Sequence, residues 1–231
     1  MSEVAITYYS DVLCVWGYIA QVRVDELRRH FEGKLVVVPR LVPVFGDTPK
    51  KIGEGWRARG GYEAYAAHVA SVVARFDHLT LNPDTWNRVR PASSLVPHAV
   101  VRALDLIARE GIVDHAALSA EGRGPCEELA WHLRLAFFRD GRDIGRMPVV
   151  LEVASEMGLP VDVLRARLDD GTAWAALHAD HEAVKEEGVR GSPTFVLNER
   201  RQILYGNVGY RILEANVLEL LREPGDQASW C

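Results

Sequence analysis

The 231-residue chain contains few cysteines and no long apolar run. Three cysteines, Cys14, Cys126 and Cys231, are too few and odd in number for a secreted disulfide framework, and they fit a reducing compartment. No apolar segment approaches the roughly 20 residues needed to cross a bilayer. Residues 1–3 lack the basic region that opens a secretory signal. We therefore expect a soluble, cytoplasmic protein that has no membrane partner.

An excess of charge of either sign is also missing. The chain has 27 basic and 32 acidic residues, a net charge of -5, and its basic residues are scattered along the sequence. This pattern argues against a nucleic-acid partner, since nucleic-acid surfaces concentrate positive charge. His178 and His181 have helical spacing, but a solvated polar helix face explains them. We expect no metal site.

The order of the predicted elements divides the chain into three parts. Residues 4–9, 15–31 and 35–42 have the patterns of a strand, a helix and a strand, which together form a βαβ unit. Residues 46–61 are predicted to form a long loop, and from residue 61 to about 187 only helices are indicated, each bounded by Gly or Pro. Strands at 194–197 and 202–205 then form a hairpin, and a last helix covers 210–222.

Cys14 occupies the point where the first strand passes into the first helix. We predict that it lies in the first turn of that helix, where free backbone N–H groups and the helix dipole favour a thiolate. A thiolate is the form of cysteine that attacks disulfides and electrophiles. The alternative is that Cys14 is a small buried hydrophobic residue, as most free cysteines are.

Two motifs resemble a known family. Asp11-x-x-Cys14-x-Trp16, together with Gly191-Ser192-Pro193, is similar to the DsbA-like thioredoxin-fold oxidoreductases. The likeness is strongest to the branch that contains FrnE-like proteins, 2-hydroxychromene-2-carboxylate isomerases and kappa-class glutathione transferases. It extends from about residue 7 to 223 and includes the stretch 137–144.

The resemblance implies an α/β fold of the thioredoxin type. A large all-helical insertion, residues 61–187, then separates the βαβ and ββα halves. The predicted domains are a discontinuous thioredoxin-like domain of residues 1–60 and 188–224, the insertion, and a mobile tail of residues 225–231.

The first motif departs from the family pattern in one important way. Related oxidoreductases carry Cys-Pro-Trp-Cys or a similar run, whereas this chain has Cys14-Val15-Trp16-Gly17. Because Gly17 has no thiol, Cys14 cannot form a disulfide within the motif. In the isomerase branch the cysteine position is usually serine, so the chain matches neither pattern fully.

Three functions remain open on this basis. The first is a monothiol thiol-disulfide oxidoreductase in which Cys14 is the nucleophile. The second is a glutathione-dependent isomerase or transferase for a small aromatic or electrophilic substrate. The third is a redox-silent binding module that keeps the fold without catalysis.

The resemblance also implies the partners and the remaining site residues. For an enzyme we expect glutathione or a similar small thiol as co-substrate, a disulfide or electrophile as the second substrate, and no tightly bound cofactor. Pro193 would be cis, and Ser192 would bind the thiol through its backbone. Trp16 would shape the mouth of the site, or alternatively would be a helix residue packed on the insertion. Asp11 is the remaining motif residue that we assign to binding.

The other cysteines and the tryptophans give weaker signals. Cys126, at the start of a predicted helix, is best interpreted as a structural thiol. Cys231 could act as a surrogate resolving thiol, reaching Cys14 of a neighbouring subunit if the protein is a homodimer, but an incidental thiol at a frayed end is the simpler interpretation. Trp56 and Trp86 lie in loop-like sequence, where they either line a pocket or, at least as well, pack between helix and loop. Trp131 and Trp174 are interpreted as core of the helical block.

Overall fold

The computed structural model describes residues 3–114, 121–223 and 229. Its sheet has four strands in the order β2-β1-β3-β4. The strands are β1 (Val4–Ser10), β2 (Leu35–Leu41), β3 (Thr194–Leu197) and β4 (Gln202–Tyr205). β1 pairs with β2 in parallel and with β3 antiparallel, and β3 pairs antiparallel with β4. The predicted βαβ unit and hairpin are therefore confirmed.

One face of the sheet packs against two helices, α1 (Val15–His30) and α8 (Tyr210–Arg222). Alternate residues of β1 point to this face because side chains along a strand alternate in direction. Val4, Ile6 and Tyr8 are each about 1% exposed and join a buried cluster with α1 and α8. This core fixes the β1 end from which Cys14 follows.

Within the described residues, only helical segments and one isolated bridge occur between β2 and β3. The α-helices are α2 (Gly61–Val73), α3 (Leu95–Arg109), α4 (Pro125–Arg134), α5 (Met147–Glu156), α6 (Val161–Asp169) and α7 (Thr172–Glu186). A π-helical turn, Leu135–Arg139, continues α4. The thioredoxin-like fold with a helical insertion is thus confirmed, whereas the exact domain boundaries stay a prediction.

The stretch 46–61 is more ordered than the predicted loop. Pro49 opens a π-helical segment, Pro49–Glu54, since proline suits the first helical position, and a 3₁₀ turn, Arg57–Arg59, follows. Ile52 is fully buried and ties the segment to the core. The glycine content suggested a loop, but this single apolar contact holds a helical turn in place.

The structure decides one tryptophan assignment and overturns another. Trp86 lies in a loop, as predicted, and of the two interpretations left open it fits packing, since it is fully buried between the rings of Phe45, Tyr65 and Phe137. It adopts a left-handed backbone with φ 61°, which local propensity does not predict. Trp174, predicted to be core, is 40% exposed, and its indole N–H donates to a main-chain carbonyl on the surface of the helical block.

None of the described helices is long and apolar enough to span a membrane. The described part of the chain also holds no cluster of three or more His, Cys, Asp or Glu side chains suited to a metal ion. His178, one of the two histidines considered for a metal, lies on an exposed face, where its ring is 3.9 Å from Glu182.

The packing of α8 gives a direct test of this fold. Leu213 is fully buried against the sheet, while its neighbour Ile212 is 55% exposed. We expect Leu213→Ala to lower the free energy of unfolding by about 2–5 kcal/mol, because it removes buried methyl groups and leaves a cavity. Ile212→Ala, the matched control, should change it by less than about 1 kcal/mol. Urea unfolding measures both, and equal losses would contradict the placement of α8.

Candidate active site

Cys14 lies at the junction of β1 and α1, one residue earlier than predicted. It is the N-cap of α1 rather than part of the first turn, with an extended backbone (φ −84°, ψ 117°). Its N–H donates to the carbonyl of Asp11 at 3.1 Å, which closes a tight turn. The turn carries the chain directly from the sheet into the helix and leaves the thiol at the helix start.

The buried carboxylate of Asp11 organises this turn. One oxygen accepts the N–H of Leu13 at 2.8 Å, and the other accepts the N–H of Phe45 and the hydroxyl of Ser94, both at 2.8 Å. Asp11 has no exposed surface. The carboxylate accepts its hydrogen bonds from the protein itself. Sequence analysis, in contrast, assigned Asp11 to ligand binding.

His98 completes the surroundings of Asp11. The imidazole is fully buried, 3.6 Å from the carboxylate, and its Nε2 accepts the N–H of Val12 at 3.3 Å. Burial by itself would raise the pKa of Asp11, but His98 and the N–H groups of Phe45 and Leu13 outweigh it and hold the pKa below its usual value. Asp11 therefore stays ionised beside the thiol. Sequence analysis did not identify His98, because it is far from Asp11 and Cys14 along the chain.

The Ser192–Pro193 segment faces Cys14 from β3. The peptide bond between these residues is cis. The thiol of Cys14 donates to the carbonyl of Ser192 at 3.3 Å, and the Ser192 hydroxyl accepts the N–H of Asp11 at 2.9 Å. The structure therefore brings together Cys14, Asp11 and Ser192, three of the residues singled out from the sequence. Trp16 is partly buried and packs on the helical block.

The expected thiolate at Cys14 is not what the structure favours. Cys14 is only 5% exposed, and burial raises the pKa of its thiol above the ordinary value. Hydrogen bonds from Ser192 and from the N–H groups of Gly17 and Trp16 lower the pKa, while the charge of Asp11 raises it. Desolvation prevails. The sequence located the helix N-terminus correctly but could not show how deeply the sulfur is buried.

Arg134, a residue missed in the sequence, packs behind the motif. Its side chain is fully buried and donates to the hydroxyl of Ser10 at 2.7 Å and to Gln21 at 3.3 Å. A Cβ placed on Gly17 would lie 3.3 Å from the Asp11 carbonyl and 3.6 Å from the guanidinium. The position where relatives carry a second cysteine therefore adjoins a buried cation in this chain.

Tyr65 of α2 was also missed. Its ring is 9% exposed and belongs to the same buried cluster as Cys14 and Phe45. Ring centroids lie 5.0 Å away for Trp56 and 6.3 Å away for Phe45. The residue comes from the insertion, and its spacing in the sequence is that of an ordinary core position in a helix.

The other two cysteines differ from Cys14. Cys126 is buried at the start of α4, 3.8 Å from a carboxylate oxygen of Asp105, and burial together with this charge raises its pKa to about 12. A structural thiol remains the best interpretation. Cys231, considered as a surrogate resolving thiol, lies outside the described residues.

A cleft of about 780 Å³ runs along α1. Charged side chains of α1 and the aromatic rings of Tyr18 and Trp131 line it, but Cys14 does not. Many of these charges are already paired, as in the contact of Arg28 with Glu127. We therefore place the candidate site at the thiol and not in this cleft.

Comparison with known proteins agrees with this geometry. Residues 112–217 match the family model described as a DSBA-like thioredoxin domain. The match covers a little under half of the chain, and what it supports is a thioredoxin-like fold of the DsbA type. None of the curated protein sequences compared with the chain matches it.

Solved structures share the DsbA-like fold over nearly the whole chain. A protein from Nitrosomonas europaea assigned as a disulfide isomerase has a TM-score of 0.73 at 16% identity, covering 97% of this chain and 100% of its own. The cytosolic disulfide reductase DsbM from Pseudomonas aeruginosa, solved with GSH, gives 0.62 at 22%, covering 93% and 99%. A 2-hydroxychromene-2-carboxylate isomerase gives 0.59 at 15%, covering 97% and 100%.

The electrostatics of the DsbA-like site predict an unusual titration of Cys14. In wild-type protein, the rate of Cys14 alkylation by iodoacetamide should rise with pH through a midpoint above that of the same cysteine in the urea-unfolded chain. Asp11→Asn should lower the midpoint, because it removes the negative charge that raises the thiol pKa. Peptide mass spectrometry measures alkylation at each pH.

Asp170→Asn, at an exposed helix end, is the matched control and should leave the midpoint unchanged. Asp11→Asn should also cost about 2–3 kcal/mol of stability, since it replaces a charged acceptor of several hydrogen bonds. A wild-type midpoint below that of the unfolded chain would contradict the dominance of burial.

Proposed function

We propose that this DsbA-like protein is a thiol-disulfide oxidoreductase that works as a monothiol through Cys14, with glutathione or a similar small thiol as co-substrate. The observation that carries the proposal is the contact between the Cys14 thiol and the Ser192 carbonyl, 3.3 Å apart across the cis peptide bond. This contact places a nucleophile at a helix start, against a short backbone segment that can accept an extended ligand.

The Ser192–Pro193 segment has the hydrogen-bonding capacity for such a ligand. The carbonyl of Pro193 accepts the N–H of Gly206 at 2.8 Å, which anchors the segment to β4. Among the described residues no acceptor is recorded for the N–H of Ser192. Once the thiol has ionised, the Ser192 carbonyl loses its donor as well. Both groups can then pair with a peptide or with glutathione in strand-like fashion.

The reaction follows from the chemistry of a single thiol. The Cys14 thiol loses its proton to solvent, and the thiolate attacks one sulfur of a disulfide, forming a mixed disulfide and releasing the other sulfur as a thiolate. Since Gly17 carries no sulfur, the thiolate of a second small thiol attacks the sulfur bound to Cys14, which forms a new small-molecule disulfide and releases Cys14 as a thiolate. The N–H groups of Trp16 and Gly17 stabilise the Cys14 thiolate before the first attack and after the second.

The raised pKa of Cys14 affects the rate but not the type of reaction. A thiol of higher pKa is less ionised at neutral pH, yet each thiolate that forms is a stronger nucleophile. A ligand that pairs with Ser192 would replace the surrounding water with oriented hydrogen bonds. We therefore expect exchange that is slow at neutral pH and accelerates as the pH rises through the raised pKa.

Oxidised glutathione tests the proposal. Wild-type protein incubated with it at pH 7 and at pH 9 should form one mixed disulfide, on Cys14, faster at pH 9 because more of the thiol is ionised. Dithiothreitol should remove the adduct. Intact-mass and peptide mass spectrometry identify the modified residue.

The control is Cys14→Ser, which should form no adduct at either pH. Modification confined to Cys126 or Cys231 would contradict the proposal. Absence of any adduct on folded protein at pH 9 would instead favour the redox-silent binding module, whose buried, protonated thiol would look the same in the structure.

A second candidate is a glutathione-dependent isomerase or transferase. The rings of Phe45, Trp56 and Tyr65 favour it, since they contact one another within the hydrophobic cluster that includes Cys14, and such rings can hold a small aromatic substrate. In that case Cys14→Ser should retain turnover of a hydroxychromene-type substrate with glutathione, because the serine hydroxyl can still hydrogen-bond to the glutathione sulfur. Absorbance assays of wild type and variant measure this, and no turnover by either protein would exclude the second candidate.

A further inference from the structure

Tyr65 of α2 belongs to the same buried cluster as Cys14, and it is close enough for negative charge on Cys14 to raise the pKa of its phenol. Its ring is held by Trp56 at 5.0 Å in an edge-on contact and by Trp86 at 5.7 Å. Phe45, which also contacts the ring, donates its backbone N–H to the carboxylate of Asp11. The same carboxylate organises the Cys14 turn, so one buried framework fixes both the thiol and the phenol.

The hydroxyl of Tyr65 is uncommitted. It has no hydrogen-bond partner among the described residues. Its oxygen atom is also not sealed from solvent. The neighbouring Tyr62 differs, since its hydroxyl donates to Thr48 at 3.3 Å. A buried ring with a free, accessible hydroxyl in the same cluster as Cys14 is suited to contact a ligand.

The phenol of Tyr65 is neutral, so it acts as a hydrogen-bond donor and not as a base. Burial raises its pKa far above the ordinary value, and the negative charges of Cys14 and Asp11 act in the same direction. The phenol is therefore protonated at neutral pH. It can donate a hydrogen bond to an anion, but it cannot remove a proton from one.

We propose that the Tyr65 hydroxyl donates a hydrogen bond to the sulfur that leaves when Cys14 attacks a disulfide. This inference rests on the proposed exchange reaction and assigns a catalytic residue to it. The Cys14 thiolate forms a bond to the nearer sulfur, the disulfide bond breaks, and its electron pair departs on the farther sulfur. Tyr65 stabilises that thiolate without transferring its proton, and the thiolate is later protonated by water.

The leaving sulfur is the appropriate target, for two reasons. The Cys14 sulfur already has the N–H groups of Trp16 and Gly17 on one side and Ser192 on the other. For the negative charge on the departing sulfur, in contrast, the described residues of the turn provide no assigned hydrogen-bond donor. Stabilisation matters most for a poor leaving group, since a thiol of low pKa leaves readily unaided.

The experiment compares Tyr65→Phe with wild type against two disulfides. With oxidised glutathione, whose leaving group is an alkyl thiolate, exchange by Tyr65→Phe should be about tenfold slower, the effect of one charge-assisted hydrogen bond. With 5,5′-dithiobis(2-nitrobenzoate), whose aromatic thiolate leaves readily, the loss should be less than about twofold. Stopped-flow absorbance and quenched mass spectrometry give the two rates.

Tyr62→Phe is the matched control on the same helix. It loses a hydroxyl bonded to Thr48 and should match wild type with both disulfides. Alkylation of Cys14 by iodoacetamide should be unchanged in Tyr65→Phe, because no sulfur leaves in that reaction. Thermal unfolding should show both variants folded, since each keeps its ring.

The results separate this inference from the proposed function. If wild type exchanges but Tyr65→Phe and Tyr62→Phe behave alike, Tyr65 has no role in exchange. Equal losses with both disulfides, or a parallel loss in alkylation, would assign the effect to packing or to Cys14 itself and overturn the inference. No exchange by wild type with either disulfide would overturn the proposed function, and this inference with it.

Discussion

The buried carboxylate of Asp11 is the constraint on which the site depends. It accepts hydrogen bonds from the turn after β1, from the segment after β2 and from the start of α3. Two of these donors are backbone N–H groups and the third is the Ser94 hydroxyl. Each comes from a different part of the chain, and leaving any of them buried and unsatisfied would cost about 1–3 kcal/mol. One ionised side chain therefore joins the sheet, the loop and the helical insertion at the point where Cys14 is presented.

This arrangement creates an electrostatic conflict at Cys14. The helix start supplies N–H groups that favour a thiolate, whereas burial and the negative charge of Asp11 favour the thiol. Asp11 cannot be removed to relieve the conflict without losing the hydrogen bonds that form the turn. The position of the Cys14 thiol and its raised pKa thus have the same structural cause. A ligand that contributes hydrogen bonds at Ser192 would shift the equilibrium between thiol and thiolate.

Much of the fold and part of the site could be predicted from the sequence. Local patterns located α8, the β3–β4 hairpin and the strand-to-helix junction at Cys14, because alternation, helical spacing and Gly or Pro boundaries are short-range signals. Trp86, His98 and Tyr65 could not be identified in this way. Their roles depend on contacts with residues distant in sequence, which single-chain patterns do not encode. The raised pKa of Cys14 could not be predicted for the same reason, since burial is a property of the whole fold.

The replacement of the second cysteine by Gly17 is compatible with these surroundings. In a dithiol motif the space beside that position must admit a sulfur and its partner thiol, and a Cβ here would already contact the Asp11 carbonyl and the Arg134 guanidinium. Arg134 is in turn held by Ser10 at the end of β1 and by Gln21 of α1, which belongs to a buried polar network with Glu127 and Arg28. The space behind Cys14 is therefore occupied by a network that ties α1 to α4. Because this network is part of the packing between sheet and insertion, the surroundings of Gly17 depend on residues well beyond the Cys14 motif.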